Sequence, residues 1–126
     1  MTQKPRAIFD TSAWLACFRG DIPELEAIVE THDILTPDVC LLELITAYDY
    51  TSERELRTRL RIVSILHEII ETTPEIATAA SFQDHTVPLG TRLALAIADQ
   101  EGLTVYCCRN SPLHTNESER SRMTRS

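Results

Sequence analysis

The sequence predicts one α/β domain, a three-layer arrangement in which a central parallel sheet is flanked by helices on both faces. Three observations carry this. Short apolar runs that read as strands recur at Arg6–Asp10, Ile34–Thr36 and Leu103–Cys107; segments with helical spacing separate them; and 126 residues suffice for one core, not two. Strands joined through helices cannot be hairpins, so the sheet is expected to be parallel.

The first run, Arg6-Ala7-Ile8-Phe9-Asp10, ends in an acid, and Thr11 and Ser12 supply capping hydroxyls for a helix over Ala13–Phe18. Gly20-Asp21 breaks that helix. Pro23 suits a first helical turn, and Leu25, Ile28 and Val29 continue a second helix to Thr31. After the strand at Ile34–Thr36, Pro37 stops the run and Asp38 is placed to cap a helix carrying Val39, Leu41, Leu42, Leu44 and Ile45. Ser52 and Glu55 form a capping-box pattern, after which Leu56, Leu60, Val63, Ile65, Leu66, Ile69 and Ile70 predict one long amphipathic helix packed on its predecessor. Pro74 opens a helical stretch to Phe82. A loop follows at Asp84–Val87, then an Ala/Leu-rich helix from Pro88 to Glu101 that Gly102 stops. Residues 1–110 are read as the folded domain. Residues 111–126, nearly all polar, are read as a tail that is disordered or ordered only by a partner.

The composition, 43% hydrophobic and 25% charged, is that of a globular chain. No apolar run approaches the roughly 18 to 20 residues that span a bilayer, and the N-terminus leads into a strand, so no membrane association and a cytoplasmic location are expected. Cys17, Cys40, Cys107 and Cys108 lie in apolar segments without CxxC spacing, which favours reduced thiols over a zinc site or disulfides. The formal charge of −7 opposes nonspecific attraction to nucleic acid, and without its two Glu and three Arg the tail leaves the domain still more acidic. A centre that holds a cation between carboxylates needs such a local excess of acid.

Sites in open parallel sheets form at the carboxyl ends of strands, where Asp10 and the turn after Cys107 both fall. Asp10 is followed by Thr11 and Ser12, whose hydroxyls can hold a carboxylate or a metal-bound water. Glu43, set among Leu41, Leu42, Leu44 and Ile45, either meets a partner such as a divalent ion or lies on the wet stripe of its helix.

Together these residues resemble the PIN family, in particular the VapC toxins. Ile8-Phe9-Asp10-Thr11-Ser12-Ala13 is similar to the family's opening strand with its first catalytic Asp. Leu41-Leu42-Glu43-Leu44-Ile45-Thr46-Ala47-Tyr48 is similar to the second motif, with Glu43 as the acid. Pro88 to Ala98 is similar to the third, and Gly102 to Arg109 to the strand and turn that close the site. Two family acids are replaced: Thr91 stands where the third motif carries an Asp, and Arg109, with Asn110 beside it, where the final turn carries another.

The resemblance implies a PIN-like α/β/α fold and hydrolysis of RNA phosphodiesters with Mg²⁺ or Mn²⁺. It further implies a cognate antitoxin protein as partner and a homodimer. On it, Asp10 and Glu43 are the metal ligands, and Thr91 and Arg109 complete the catalytic set. Thr11, Ser12 and Asn110 support substrate. Arg109 admits two roles: at about 4 Å and an effective dielectric of about 20 its attraction to Asp10 is about 4 kcal/mol before desolvation, enough to replace a weakly held ion, or it faces the substrate phosphate. The alternative function is a degenerate PIN-like module that binds RNA or a protein without cleaving. A receiver-like phosphoryl acceptor at Asp10 ranks last, because no second acid adjoins Asp10 and Lys4 is the only lysine.

Other features have plainer readings. Arg54, Arg57 and Arg61 share a helical face that suits phosphate, or a solvated face paired with Glu53 and Glu55. Asp84 and His85 could stand in for the lost acids but read as solvated loop. Asp99, two turns past Thr91, could share its face but is about 12 Å along the axis. Trp14 and Phe18 read as core or dimer seam rather than a base-stacking pair. His32, His67 and His114 show no metal-ligand spacing.

Overall fold

Successive side chains of a strand leave on opposite faces, and β1 (Arg6–Phe9) uses both. Ile8 packs on one side of the sheet, Ala7 and Phe9 on the other. In the computed structural model, which describes residues 4–46, 67–108 and 114–115, nine further elements follow. They are α1 (Thr11–Arg19), α2 (Pro23–Thr31), β2 (Asp33–Pro37), α3 (Asp38–Thr46), β3 (His67–Ile70), α4 (Pro74–Ser81), α5 (Leu89–Glu101), β4 (Thr104–Cys107) and β5 (His114–Thr115).

The sheet order is β3-β2-β1-β4-β5, with the first four strands parallel and β5 antiparallel to β4. Strand order therefore reverses between β1 and β4. In open parallel sheets, sites form beyond the carboxyl ends of the strands at such a reversal.

Two apolar layers cover the sheet. On one face Ile76 and Ala80 of α4, with Leu93, Ala94 and Ile97 of α5, close over Ile8, Leu35 and Val105. On the other, Ala13, Trp14, Leu15 and Ala16 of α1 and Leu25 of α2 close over Ala7, Phe9 and Ile34. Trp14 is buried, its ring edge-on to Phe9 at 4.9 Å and stacked on Phe18 at 5.5 Å. Its indole N–H donates to the Thr36 hydroxyl at 2.8 Å, so the one polar atom of the ring is satisfied in the core. Trp14 is thus a core residue of this chain rather than a base-stacking one. Helix α3 touches both α1 and α5 and bridges the layers at the edge of the crevice.

Local chemistry fixes the helix ends. Gly20 and Gly102 close α1 and α5 in the left-handed conformation, at φ 71° and 66°, which a Cβ would penalise. Thr73 caps α4, and Pro74 occupies its first turn. Asp38 opens α3 and does more than the capping its position predicts. One carboxylate oxygen accepts from Val39 N at 2.8 Å and from the Thr72 hydroxyl, the other from Thr72 N at 2.9 Å. Burial alone would raise the Asp38 pKa, but the Thr72 and Val39 hydrogen bonds outweigh it and hold the carboxyl below its ordinary value.

The structure departs from the expected helix at β3. His67–Ile70 was expected to finish a long helix, yet it pairs in parallel with β2, Ile34 opposite His67 through Pro37 opposite Ile70. Being an edge strand, it leaves Glu68 and Ile69 exposed, so no alternation of buried and wet positions marks it in the sequence. The earlier part of that predicted helix, with Ser52, Glu55, Arg54, Arg57 and Arg61, lies outside the described residues. Within the polar C-terminal segment, His114 and Thr115 extend the sheet beside Cys107 and Tyr106. No helix among the described residues is long and apolar enough to cross a membrane.

Candidate active site

The turn from β1 to α1 buries a carboxylate at the mouth of the switch-point crevice. Asp10 is 1% exposed and serves as the N-cap of α1: its Oδ1 accepts from Ala13 N at 2.9 Å and from the Ser12 hydroxyl at 2.6 Å. Its Oδ2 accepts from the Thr91 hydroxyl at 2.6 Å, across 81 residues of sequence. Thr91 is itself buried, in the first turn of α5. A hydroxyl therefore stands beside Asp10 where the family resemblance implies a third acid, and it acts there as a donor.

Glu43 reaches the same crevice from α3. Its Oε1 accepts from the Thr11 hydroxyl at 3.2 Å, a hydroxyl that also lies 3.4 Å from the Cys40 carbonyl oxygen. Thr11 and Ser12, adjacent in sequence, thus hold different acids: Thr11 holds Glu43, Ser12 holds Asp10. Glu43 is raised above the ordinary Glu pKa, first by burial and then by the negative charge of Asp10, with the Thr11 hydrogen bond opposing both. No hydrogen bond among the described residues reaches Glu43 Oε2. The two acids foreseen in the sequence therefore converge, each held through the first turn of α1.

The end of β4 joins the same network. Cys108 N donates to the Ser12 hydroxyl oxygen at 2.7 Å, so backbone amide, hydroxyl and Asp10 carboxylate form a chain of fixed polarity. The Cys108 thiol is pushed up to about 12, chiefly by burial, then by Asp10 and Cys17. Burial also raises Cys40, with Asp10 and Glu43 adding to it, and raises Cys17, with Glu26 adding to it. All four cysteines are thiols, and three of them stay protonated by virtue of their surroundings.

The remaining candidates fall elsewhere. Asp84 accepts from the backbone and hydroxyl of Thr86, and the His85 ring contacts the Ser81 carbonyl, so both serve the α4–α5 loop. Asp99 is exposed where Thr91 is buried, so the two do not share a face of α5. Arg109 and Asn110 lie outside the described residues. Two contributors were not foreseen: the Cys108 amide, which no sequence pattern marks, and Gly90. A Cβ on Gly90 would stand 2.1 Å from Glu43 Oε1. Its signal was present as a poor helix former at the second position of α5. A cavity of about 330 Å³ opens between α3, α4 and α5, lined by Val39, Leu89, Arg92 and Leu93 among others, and neither Asp10 nor Glu43 lines it.

Among the described residues no group of three His, Cys, Asp or Glu side chains could hold a metal ion. The two carboxylates still fit a hard cation of low demand, because Mg²⁺ keeps several waters and is commonly held by one or two carboxylates plus substrate oxygens. In favour of that fit, the Asp10 charge is close enough to raise the Glu43 pKa, and no hydrogen bond among the described residues reaches Glu43 Oε2.

The sequence matches the PIN domain over residues 7–106. Comparison with curated proteins found no match. Among solved structures, the fold is similar to a chain of a toxin–antitoxin complex from Klebsiella pneumoniae, with TM-score 0.58, 21% identity, and 79% of this chain and 82% of that chain covered. It is likewise similar to a chain of VapBC2 from Rickettsia felis bound to a DNA fragment from their promoter, with TM-score 0.62, 14% identity, and coverage of 79% and 85%. At these identities the likeness is one of fold.

Proposed function

The chain belongs to the PIN domain family, a family of nucleases, and from that premise we propose that it is a VapC-like toxin that hydrolyses RNA phosphodiester bonds with Mg²⁺ or Mn²⁺. The observation that carries this reading is the convergence of Asp10 and Glu43 at the switch-point crevice, each held by its own hydroxyl from the start of α1. When bound, the ion would supply an activated water and neutralise charge on the phosphate. Asp10 and Glu43 would hold it. The residues around them do the rest: Ser12, Ala13 N and Thr91 fix the Asp10 carboxylate, and Thr11 fixes Glu43, so neither acid needs to reorganise as charge develops. Arg109 and Asn110, immediately after Cys108 in the sequence, are assigned to the substrate phosphate.

The two structural neighbours come from toxin–antitoxin assemblies, which supports an antitoxin as partner; a homodimer as the working state is part of the same proposal. A cytoplasmic location belongs to the same proposal. Residues 1–110 are taken as the nuclease domain and 111–126 as a polar C-terminal segment, of which His114 and Thr115 add a strand to the domain's sheet.

One observation favours a second reading, a PIN module that binds RNA or protein without cleaving it. The Thr91 hydroxyl already occupies Asp10 Oδ2, and a cation would have to compete with it. Calorimetric titration with Mn²⁺ and Mg²⁺, beside an RNA cleavage assay with Asp10→Asn as control, separates the two. The nuclease reading expects binding and cleavage that Asp10→Asn abolishes. Absence of both in the unsubstituted protein leaves only the second reading.

A further inference from the structure

We infer that Gly90 is a positioning residue for Glu43: the space where its side chain would stand is the slot that receives the Glu43 carboxylate. The inference rests on the reading of Glu43 as part of the active site. It begins from an anomaly. Gly20 and Gly102 are explained by their left-handed backbone, but Gly90 lies inside α5 with no positive φ. Alanine fits that conformation and forms helix better, so backbone freedom gives no reason for glycine there.

Space does. A Cβ at position 90 would meet Glu43 Oε1 at 2.1 Å, Cys40 Sγ at 2.9 Å and Glu43 Cδ at 3.3 Å. Cys40 is one turn before Glu43 on α3, so one face of that helix supplies both the occupant of the slot and a wall beside it. From outside the slot, the Thr11 hydroxyl holds the same Oε1 at 3.2 Å. The oxygen is thereby pinned between a hydroxyl and a bare Cα. Glu43 ends in a flexible carboxylate, so an added methyl group would be accommodated by turning that group out of the slot, away from Thr11 and Asp10. The buried Cys40 sulfur has less room to yield. The same geometry sets the length of the acid at position 43, because a shorter Asp would not reach the slot.

The test is a double-mutant cycle on the full chain with Gly90→Ala, Glu43→Ala and the pair, read by thermal unfolding and by Mn²⁺ titration. With Glu43 present, Gly90→Ala should lower Tm by roughly 5 °C, a shift typical of a modest destabilisation in a chain of this size. In the Glu43→Ala background the same change should leave Tm unaltered or raise it. Gly90→Ala should weaken Mn²⁺ about tenfold or more, as expected for loss of a residue that positions a ligand, and Glu43→Ala should weaken it at least as much. Equal Tm shifts in the two backgrounds overturn the inference. Should Gly90→Ala alone fail to fold, folding of the double variant supports it and failure of both overturns it. If the Tm cycle shows coupling while the unsubstituted protein binds no Mn²⁺, the active-site reading fails and the fit between Gly90 and Glu43 stands.

Discussion

Replacing Thr91 by Asp restores an acid to the first turn of α5 and tests what the crevice lacks. Thr91 now donates to Asp10 Oδ2 at 2.6 Å in a buried setting. Losing a hydrogen bond to a charged group costs about 1.5 to 3 kcal/mol. Two carboxylates about 4 Å apart repel by up to roughly 4 kcal/mol at an effective dielectric of about 20, less whatever proton uptake relieves. Thr91→Asp should therefore melt well below Thr91→Val, which loses the donor without adding charge. A divalent ion relieves the carboxylate repulsion, which only the Asp variant has, and at a hundred times its Kd it returns about 2.7 kcal/mol. The assay is differential scanning fluorimetry of the two variants and the parent, in EDTA and across a Mn²⁺ series. At roughly 3 to 5 °C per kcal/mol, the Asp variant should recover about 10 °C with Mn²⁺, clearly more than the Val variant, which keeps only Asp10 and Glu43 for the ion. If the two variants melt together at every Mn²⁺ concentration, Thr91 does not stand at a cation position and the reasoning fails.

Two further outcomes follow from the titrating groups. Glu43 has a folded-state pKa above its unfolded value, so the folded protein takes up this proton more readily and bears a penalty that grows as pH rises through the folded pKa. Glu43→Gln, which keeps an acceptor for Thr11, should raise Tm relative to the parent at pH 7, with the gain fading towards about pH 4, where the unfolded group is protonated too. A gain that is constant between those pH values would contradict the assignment. Cys108, pushed up to about 12, should react slowly with Ellman's reagent at pH 8 and faster with each unit of added pH; rapid labelling at pH 8 would show an accessible thiolate instead.

Much of the fold was legible because its cues are local. A run of Ala7, Ile8 and Phe9 ending in Asp10, capping hydroxyls at Thr11 and Ser12, Pro74 and Gly102 at helix ends each declare themselves within a few residues. Asp10 and Glu43 were legible for a related reason, as charges set in apolar surroundings. β3 was illegible because an edge strand with Glu68 and Ile69 exposed has no burial pattern to display, and its identity comes from pairing with Ile34–Pro37. Long-range contacts were equally silent: Thr91 reads as an ordinary helix residue until it is seen bonded to Asp10, and Gly90 as a weak point until Glu43 fills the space beside it. The size of the Asp38 contribution was hidden likewise, because its partner Thr72 lies 34 residues away.

Ser12 has a single hydroxyl proton and spends it on Asp10, which leaves its oxygen to receive the Cys108 amide. Any change in the state of Asp10, by protonation, by a bound ion or by substitution, alters the pull on that proton and so the electron density offered to the amide. The Cys108 N–H is consequently a built-in reporter. Its resonance in a ¹⁵N-correlated spectrum should move whenever the carboxylate two bonds up the relay is perturbed, giving an NMR titration a readout that needs neither a label on the substrate nor any turnover.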